Sequence, residues 1–275
     1  MNHSTFKSFT FGIGLFFTLP LVYGNSSSPS SSDGTLYINK SKTHKVAPVK
    51  YGFHYEEIGM MGEGALHAEL IRNRSFEEAT PPAGLSVKNG LYENVPAPRV
   101  KEKKVFQADP LIGWTTYPLS YTPVFISRTD ENPMSGENKY SMLVNVTEDI
   151  ANHPDALILN RGYYGMNLKT DTSYRLSLFL KNRNYSAPLR VFLVDEWGQR
   201  VSNVIEVNVG NRDWTKYTGE LKPEKNVRRG MFAIQPMSKG QFQIDVVSLF
   251  PSDTWNDGKS VFRKDIVQNL SLIHI

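Results

Sequence analysis

Across residues 78–251 the apolar side chains of this chain recur with a period of two, a pattern that a pleated strand can bury on one face and a helix cannot. In residues 173–181, Tyr174, Leu176, Leu178 and Leu180 alternate with Arg175, Ser177 and Lys181, so one face is apolar and the other mostly wet. Met142, Val144 and Val146 alternate around Asn145, and Phe242, Ile244 and Val246 around Gln243 and Asp245. Further strands are expected at 124–128, 156–160, 189–195, 204–209, 215–221 and 230–235. Turn residues separate them, at Asn160-Arg161-Gly162, Glu196-Trp197-Gly198-Gln199, Gly210-Asn211 and Ser238-Lys239-Gly240. Roughly nine antiparallel strands of this kind predict a mainly β fold, a jelly-roll β-sandwich. Residues 80–100, rich in Pro and Gly, read as a long connection.

The ends of the chain carry other signals. Residues 1–24 place Lys7 before an apolar run from Phe9 to Val22 and close on Tyr23-Gly24, the pattern of a cleavable secretory signal peptide. The run is short and interrupted for a membrane span of about 20 residues. The expected destination is therefore export, to a bacterial periplasm, the cell surface or the medium, with no membrane partner after cleavage. Residues 25–46 form a Ser-rich linker and lead-in. The sequence has no Cys, which excludes disulfides, thiolate metal sites and a lipidated Cys. With 31 basic and 27 acidic residues the net charge is +4, a mixed surface. No basic stripe interleaved with aromatics is present, so nucleic acid is not an expected partner.

Residues 51–78, YGFHYEEIGMMGEGALHAELIRNRSFEE, read as a strand, a Gly-containing loop and a short helix. Alternation puts Gly52, His54 and Glu56 on one strand face and Phe53, Tyr55 and Glu57 on the other. From the residues alone, the paired glutamates suit either a solvated strand end or one carboxylate turned into a site. The stretch resembles the opening of the family 51 glycoside hydrolases, the α-L-arabinofuranosidases, through Gly52, Tyr55, Glu56, Glu57, Ile58, Gly62, Gly64, Leu66, Ala68, Glu69, Leu70, Asn73, Arg74, Phe76 and Glu77. It departs at His54, Gly59 and Gly64-Ala65, which bears on the loop conformation. Residues 247–270, VSLFPSDTWNDGKSVFRKDIVQNL, resemble the return of that family into its catalytic barrel.

The resemblance implies a jelly-roll module, similar to family 4 and 9 type carbohydrate-binding modules, inserted into the start of a (β/α)8 barrel. Its expected parts are residues 47–78 as first barrel strand and helix, 79–250 as the module, and 251–269 as a resumed helix beginning near Asp253 or Asp257. Residues 270–275, LSLIHI, match one reading frame of a transposon sequencing adaptor and are expected to be adaptor-derived. A barrel takes about 250 residues, so the barrel here is expected to be incomplete. The implied reaction is retaining hydrolysis of terminal arabinofuranosyl residues by two carboxyl groups about 5 to 5.5 Å apart. Both catalytic glutamates belong to later strands, and no residue of this chain is assigned either role. Glu56 matches a first-strand glutamate that contacts the sugar.

Exposed aromatic rings can stack on sugar C–H faces, and Trp114, Tyr163, Tyr164 and Trp197, with Tyr117 and Tyr121, are the candidates. For any one of them core packing is the first expectation, because Trp and Tyr commonly fill sandwich cores. Trp214 reads as core. The histidines show no pair at metal-ligand spacing. No cofactor is expected, although such sandwiches can hold a structural calcium through carboxylates and carbonyls. The expected partner is an arabinose-containing plant polysaccharide or oligosaccharide. The rival reading is a non-catalytic carbohydrate-binding β-sandwich. Arabinan versus arabinoxylan and the oligomeric state are not encoded in any motif.

Overall fold

The computed structural model describes residues 62–78, 85–88, 91–94, 105–107 and 109–272. Glu56, the first strand, the signal peptide and the linker lie outside the described residues. The described part is mainly β and antiparallel. Its strands are β1 (Leu85–Lys88), β2 (Leu91–Asn94), β3 (Val105–Gln107), β4 (Trp114–Tyr117), β5 (Val124–Thr129), β6 (Ser141–Val146) and β7 (Leu157–Asn160). They continue with β8 (Met166–Leu168), β9 (Tyr174–Asn182), β10 (Pro188–Val194), β11 (Ile205–Asn208), β12 (Thr215–Leu221), β13 (Val227–Gln235) and β14 (Gly240–Pro251). One helix, α1 (Lys264–Leu272), follows.

Two sheets form a β-sandwich. One runs β11-β10-β13-β7-β4, with β8 also paired to β13, and the other runs β12-β9-β14-β6-β5. Period-two alternation sends Leu189, Val191, Leu193, Phe232 and Ile234 from the first sheet into a single core with Met142, Val144, Leu176, Leu178, Leu180, Phe242 and Ile244 from the second. Each such side chain contributes on the order of 1.5–3 kcal/mol on burial. The expected strands are present with ends displaced by a few residues, and β4 and β8, too short to show alternation, were not expected. The long connection expected over residues 80–100 is corrected, because β1 and β2 lie there and pair with β3 beyond them as a separate three-stranded sheet.

Alternation fails at one place in β14. Phe242 and Ile244 face the core, but Val246 adopts φ +43° and the core positions pass to Val247 and Leu249. The register with β9 slips between Asp245 and Ser248, a β-bulge. The N–H of Val247 donates to the Arg74 carbonyl at 2.9 Å, so the segment before the sandwich holds the bulge.

That segment is not the short helix expected from sequence. Its N–H groups pair with distant chain: Ala68 with the Val261 carbonyl at 2.8 Å and Leu70 with the Leu249 carbonyl at 3.1 Å. Asn73 and Phe76 have positive φ. Ile71 and Phe76 are buried in the sandwich core, which therefore begins before residue 79. Helix α1 also starts later than expected. Asn256 and Asp257 turn the chain at positive φ, Thr254 bridges Arg263, and helical pairing begins only beyond them.

Candidate functional site

Incoming and outgoing chain meet at one end of the sandwich, and a cavity of about 490 Å³ lies there. Glu69 fixes the meeting. Its Oε1 accepts the N–H groups of Leu249 (2.8 Å) and Ile71 (3.0 Å), and its Oε2 accepts the Ser248 hydroxyl at 2.6 Å. Arg74 approaches to 4.0 Å. Burial pushes the Glu69 carboxyl upward, while these donors and Arg74 act in the opposite direction. The residue satisfies buried backbone donors on two segments and so serves the architecture.

One wall of the cavity is the turn Gly62–Leu66, where the N–H of His67 donates to the Gly62 carbonyl at 2.8 Å. Gly64 has φ +81°, and a Cβ there would lie 2.5 Å from the Tyr163 ring. Glycine is required both by the left-handed backbone and by the ring against it. The Tyr163 hydroxyl donates to Glu63 Oε2 at 3.2 Å, and the Arg72 guanidinium stands 5.9 Å from the ring centroid. Burial, with the Glu63 charge added, raises the Tyr163 hydroxyl above its ordinary value. His67 is pushed downward by burial, against the opposing pull of Glu63, which favours the neutral imidazole.

The facing wall is the turn at residues 160–165. Buried Asn160 accepts the Gly162 N–H (2.9 Å) and the Arg72 N–H (3.3 Å), and donates to the Arg72 carbonyl at 3.0 Å. Gly165 N–H returns to the Arg161 carbonyl at 3.0 Å. Tyr163 is thereby half-buried and Tyr164, beside it, is 82% exposed at the cavity. The return segment supplies the rest of the lining, including Asp253, Arg263, Lys264 and Asp265. Arg263 hydrogen-bonds Asp265 at 3.1 Å.

The structure brings together two of the four aromatic candidates. Trp114 is corrected: it is 6% exposed, donates from Nε1 to the Asn73 carbonyl at 3.2 Å and packs against Phe76 and Phe232, so it belongs to the core. Trp197 is 74% exposed on the turn closed by Asp195, away from the cavity lining. Tyr117 is half-buried and packs against the outer apolar cluster around Phe192 and Met231. Tyr121 donates to Glu148 at 2.6 Å on the surface. Trp214, expected in the core, is only partly buried and donates to the Asn132 carbonyl.

Locally, Asn160 reads only as a turn residue, and Glu69 and Gly64 show no sign of a place in a site, because the partners that give them one lie far along the chain. The one usable signal was that Glu69 and Gly64 belong to the motif of residues 51–78. Among the described residues no group of three or more His, Asp or Glu side chains is placed to hold a metal ion.

Comparison with known proteins gives a consistent set of relatives. No family model matches this chain. It is 24% identical over 226 residues to the extracellular exo-α-L-arabinofuranosidase of Streptomyces chartreusis, covering 82% of this chain and 22% of that protein. It is 24% identical to α-L-arabinofuranosidase 1 of Arabidopsis thaliana, covering 80% and 29% respectively. Among solved structures it is similar to the arabinose-bound MgGH51 α-L-arabinofuranosidase, with a TM-score of 0.63, 21% identity, and coverage of 85% of this chain and 34% of that one. The chain thus spans about a quarter of the length of these curated relatives and a third of the solved structure. Its homologues are α-L-arabinofuranosidases, in agreement with the resemblance carried by residues 51–78 and 247–270.

Proposed function

We propose that this chain is the N-terminal part of an exported α-L-arabinofuranosidase of family 51, in which a jelly-roll module interrupts the first turn of a (β/α)8 barrel. The observation that carries this reading is the match to arabinofuranosidases over four-fifths of the chain. Burial of Ile71 and Phe76 in the sandwich and pairing of Leu70 with β14 support the order of parts, since chain entering and leaving the module is held side by side. An inserted domain needs its two ends close together. Export is supported by the signal-like residues 1–24 and by the extracellular relative.

The whole enzyme would remove terminal arabinofuranosyl residues from arabinan, arabinoxylan or their oligosaccharides with retention, through two carboxyl groups outside this chain. Glu56 would contact the sugar from the first barrel strand, at the strand end where barrel sites are built. The 275-residue chain is expected to release no aglycone from an aryl α-L-arabinofuranoside. Turnover of that substrate by the purified chain would place the catalytic pair within it and overturn this part of the reading.

A further inference from the structure

Tyr164 is an exposed ring on an unusually constrained turn. Single exposed aromatics need no explanation by themselves. Here, however, the residues on both sides are locked. Gly162 has φ +61° and would carry a Cβ 2.7 Å from the Leu70 carbonyl oxygen, and Gly165 has φ +90° and would carry one 3.0 Å from the Arg229 Cα. Asn160 closes the turn from beneath, and Tyr163 is pinned against Gly64. A ring presented by so fixed a backbone loses little conformational freedom when a ligand covers it.

The cavity beside this ring, about 490 Å³, falls within the range of small-molecule sites. Its charges balance: Lys169, Arg263 and Lys264 stand against Glu69, Asp253 and Asp265, with Arg263 and Asp265 already joined. Neither a polyanion nor a polycation gains from such a lining. A molecule with an apolar C–H face and many hydroxyls does, because the ring takes the face and the mixed donors and acceptors take the hydroxyls.

We propose that this cavity binds a neutral oligosaccharide, with the Tyr164 ring as its stacking platform and the return segment as its polar wall. The identity of the sugar as an arabino-oligosaccharide rests on the arabinofuranosidase reading, whereas the geometry of the site does not. The site joins the sandwich to the segments that flank it, so it would extend the substrate contacts of the enzyme beyond the sugar being released.

The test is calorimetric titration of the 275-residue chain with linear arabinotriose, and with xylotriose and cellotriose as other neutral sugars. The expected result is saturable binding of arabinotriose that weakens about tenfold or more in Tyr164→Ala, a loss of roughly 1.4 kcal/mol. Tyr164→Phe is expected to retain it, and Trp197→Ala to leave it unchanged. Equal melting temperatures of the variants establish that the fold is intact. Absence of binding to all three sugars, or undiminished binding by Tyr164→Ala, overturns the site. Binding of xylotriose or cellotriose alone, still lost in Tyr164→Ala, upholds the site and overturns the arabinose assignment.

Discussion

The polar residues of β14 carry a consequence for stability that depends on single atoms. Asp245 is fully buried. Its Oδ1 accepts the Val246 N–H at 2.7 Å, but its Oδ2 has no partner. Gln243, two residues earlier on the same strand face, donates from Nε2 to the Glu131 carbonyl (2.9 Å) and the Ser141 hydroxyl (3.1 Å) and leaves its own Oε1 unpartnered. Burial pushes the Asp245 carboxyl up to about 7, with Glu77 acting in the same direction and Arg74 against it. A folded-state value above the unfolded one means that the native protein keeps the proton longer. The stability from this group is full below about pH 4 and is lost as pH rises through about 7. Asp245→Asn keeps the size and supplies an N–H where the proton would be. We expect its melting temperature to exceed that of the parent chain at about pH 8 and to fall less between about pH 5 and 8. An identical pH slope in the two proteins would show that Asp245 is ionised throughout. Glu69, also raised by burial, contributes in the same direction in both, which makes the parent chain the necessary comparison.

Whole elements differed in how legible they were. Strands such as β9 and β6 announce themselves because their partners are adjacent strands that all obey the same alternation, so the local pattern and the tertiary environment agree. The incoming segment gives no such agreement. Its Ala-Glu-Leu run suits a helix by propensity, yet Glu69 meets Leu249, 180 positions away, and that contact decides the backbone. The bulge in β14 was invisible for the same reason: Val246 continues the alternation in sequence and is turned aside only because the incoming chain takes the next N–H. The turn Gly62–Leu66 shows what such contacts demand of a residue. Gly64→Ala must adopt φ +81° and displace the Tyr163 ring, at a cost of about 1–3 kcal/mol. A fall in the urea midpoint is expected, whereas Gly136→Ala, with nothing within 4 Å of its Cβ, should leave the midpoint unchanged. Equal midpoints for both would mean that the turn relaxes freely and does not hold Tyr163.

At the scale of the molecule, the core of the described sandwich borrows residues from the segment preceding it. A shortened chain beginning at residue 79, the module boundary expected from sequence, loses Ile71, Phe76 and the Glu69 clasp. Phe76 is fully buried and contacts Trp114, and its removal alone corresponds to about 3–5 kcal/mol. We expect the shortened chain to unfold at clearly lower urea than the full chain, or without a cooperative transition. Equal stability of the two would show that the incoming segment is a passenger. The sequence by itself determined the mainly β sandwich, most of its strands and the kinship with arabinofuranosidases, because alternation and short motifs are local properties. Only the tertiary structure decided where the sandwich begins, that Trp114 is core while Tyr164 is surface, and that residues around 64, 163 and 263 share one cavity. Those outcomes depend on contacts between segments about 40 to 180 residues apart, whose free energies outweigh local propensity and leave no periodic trace in the chain.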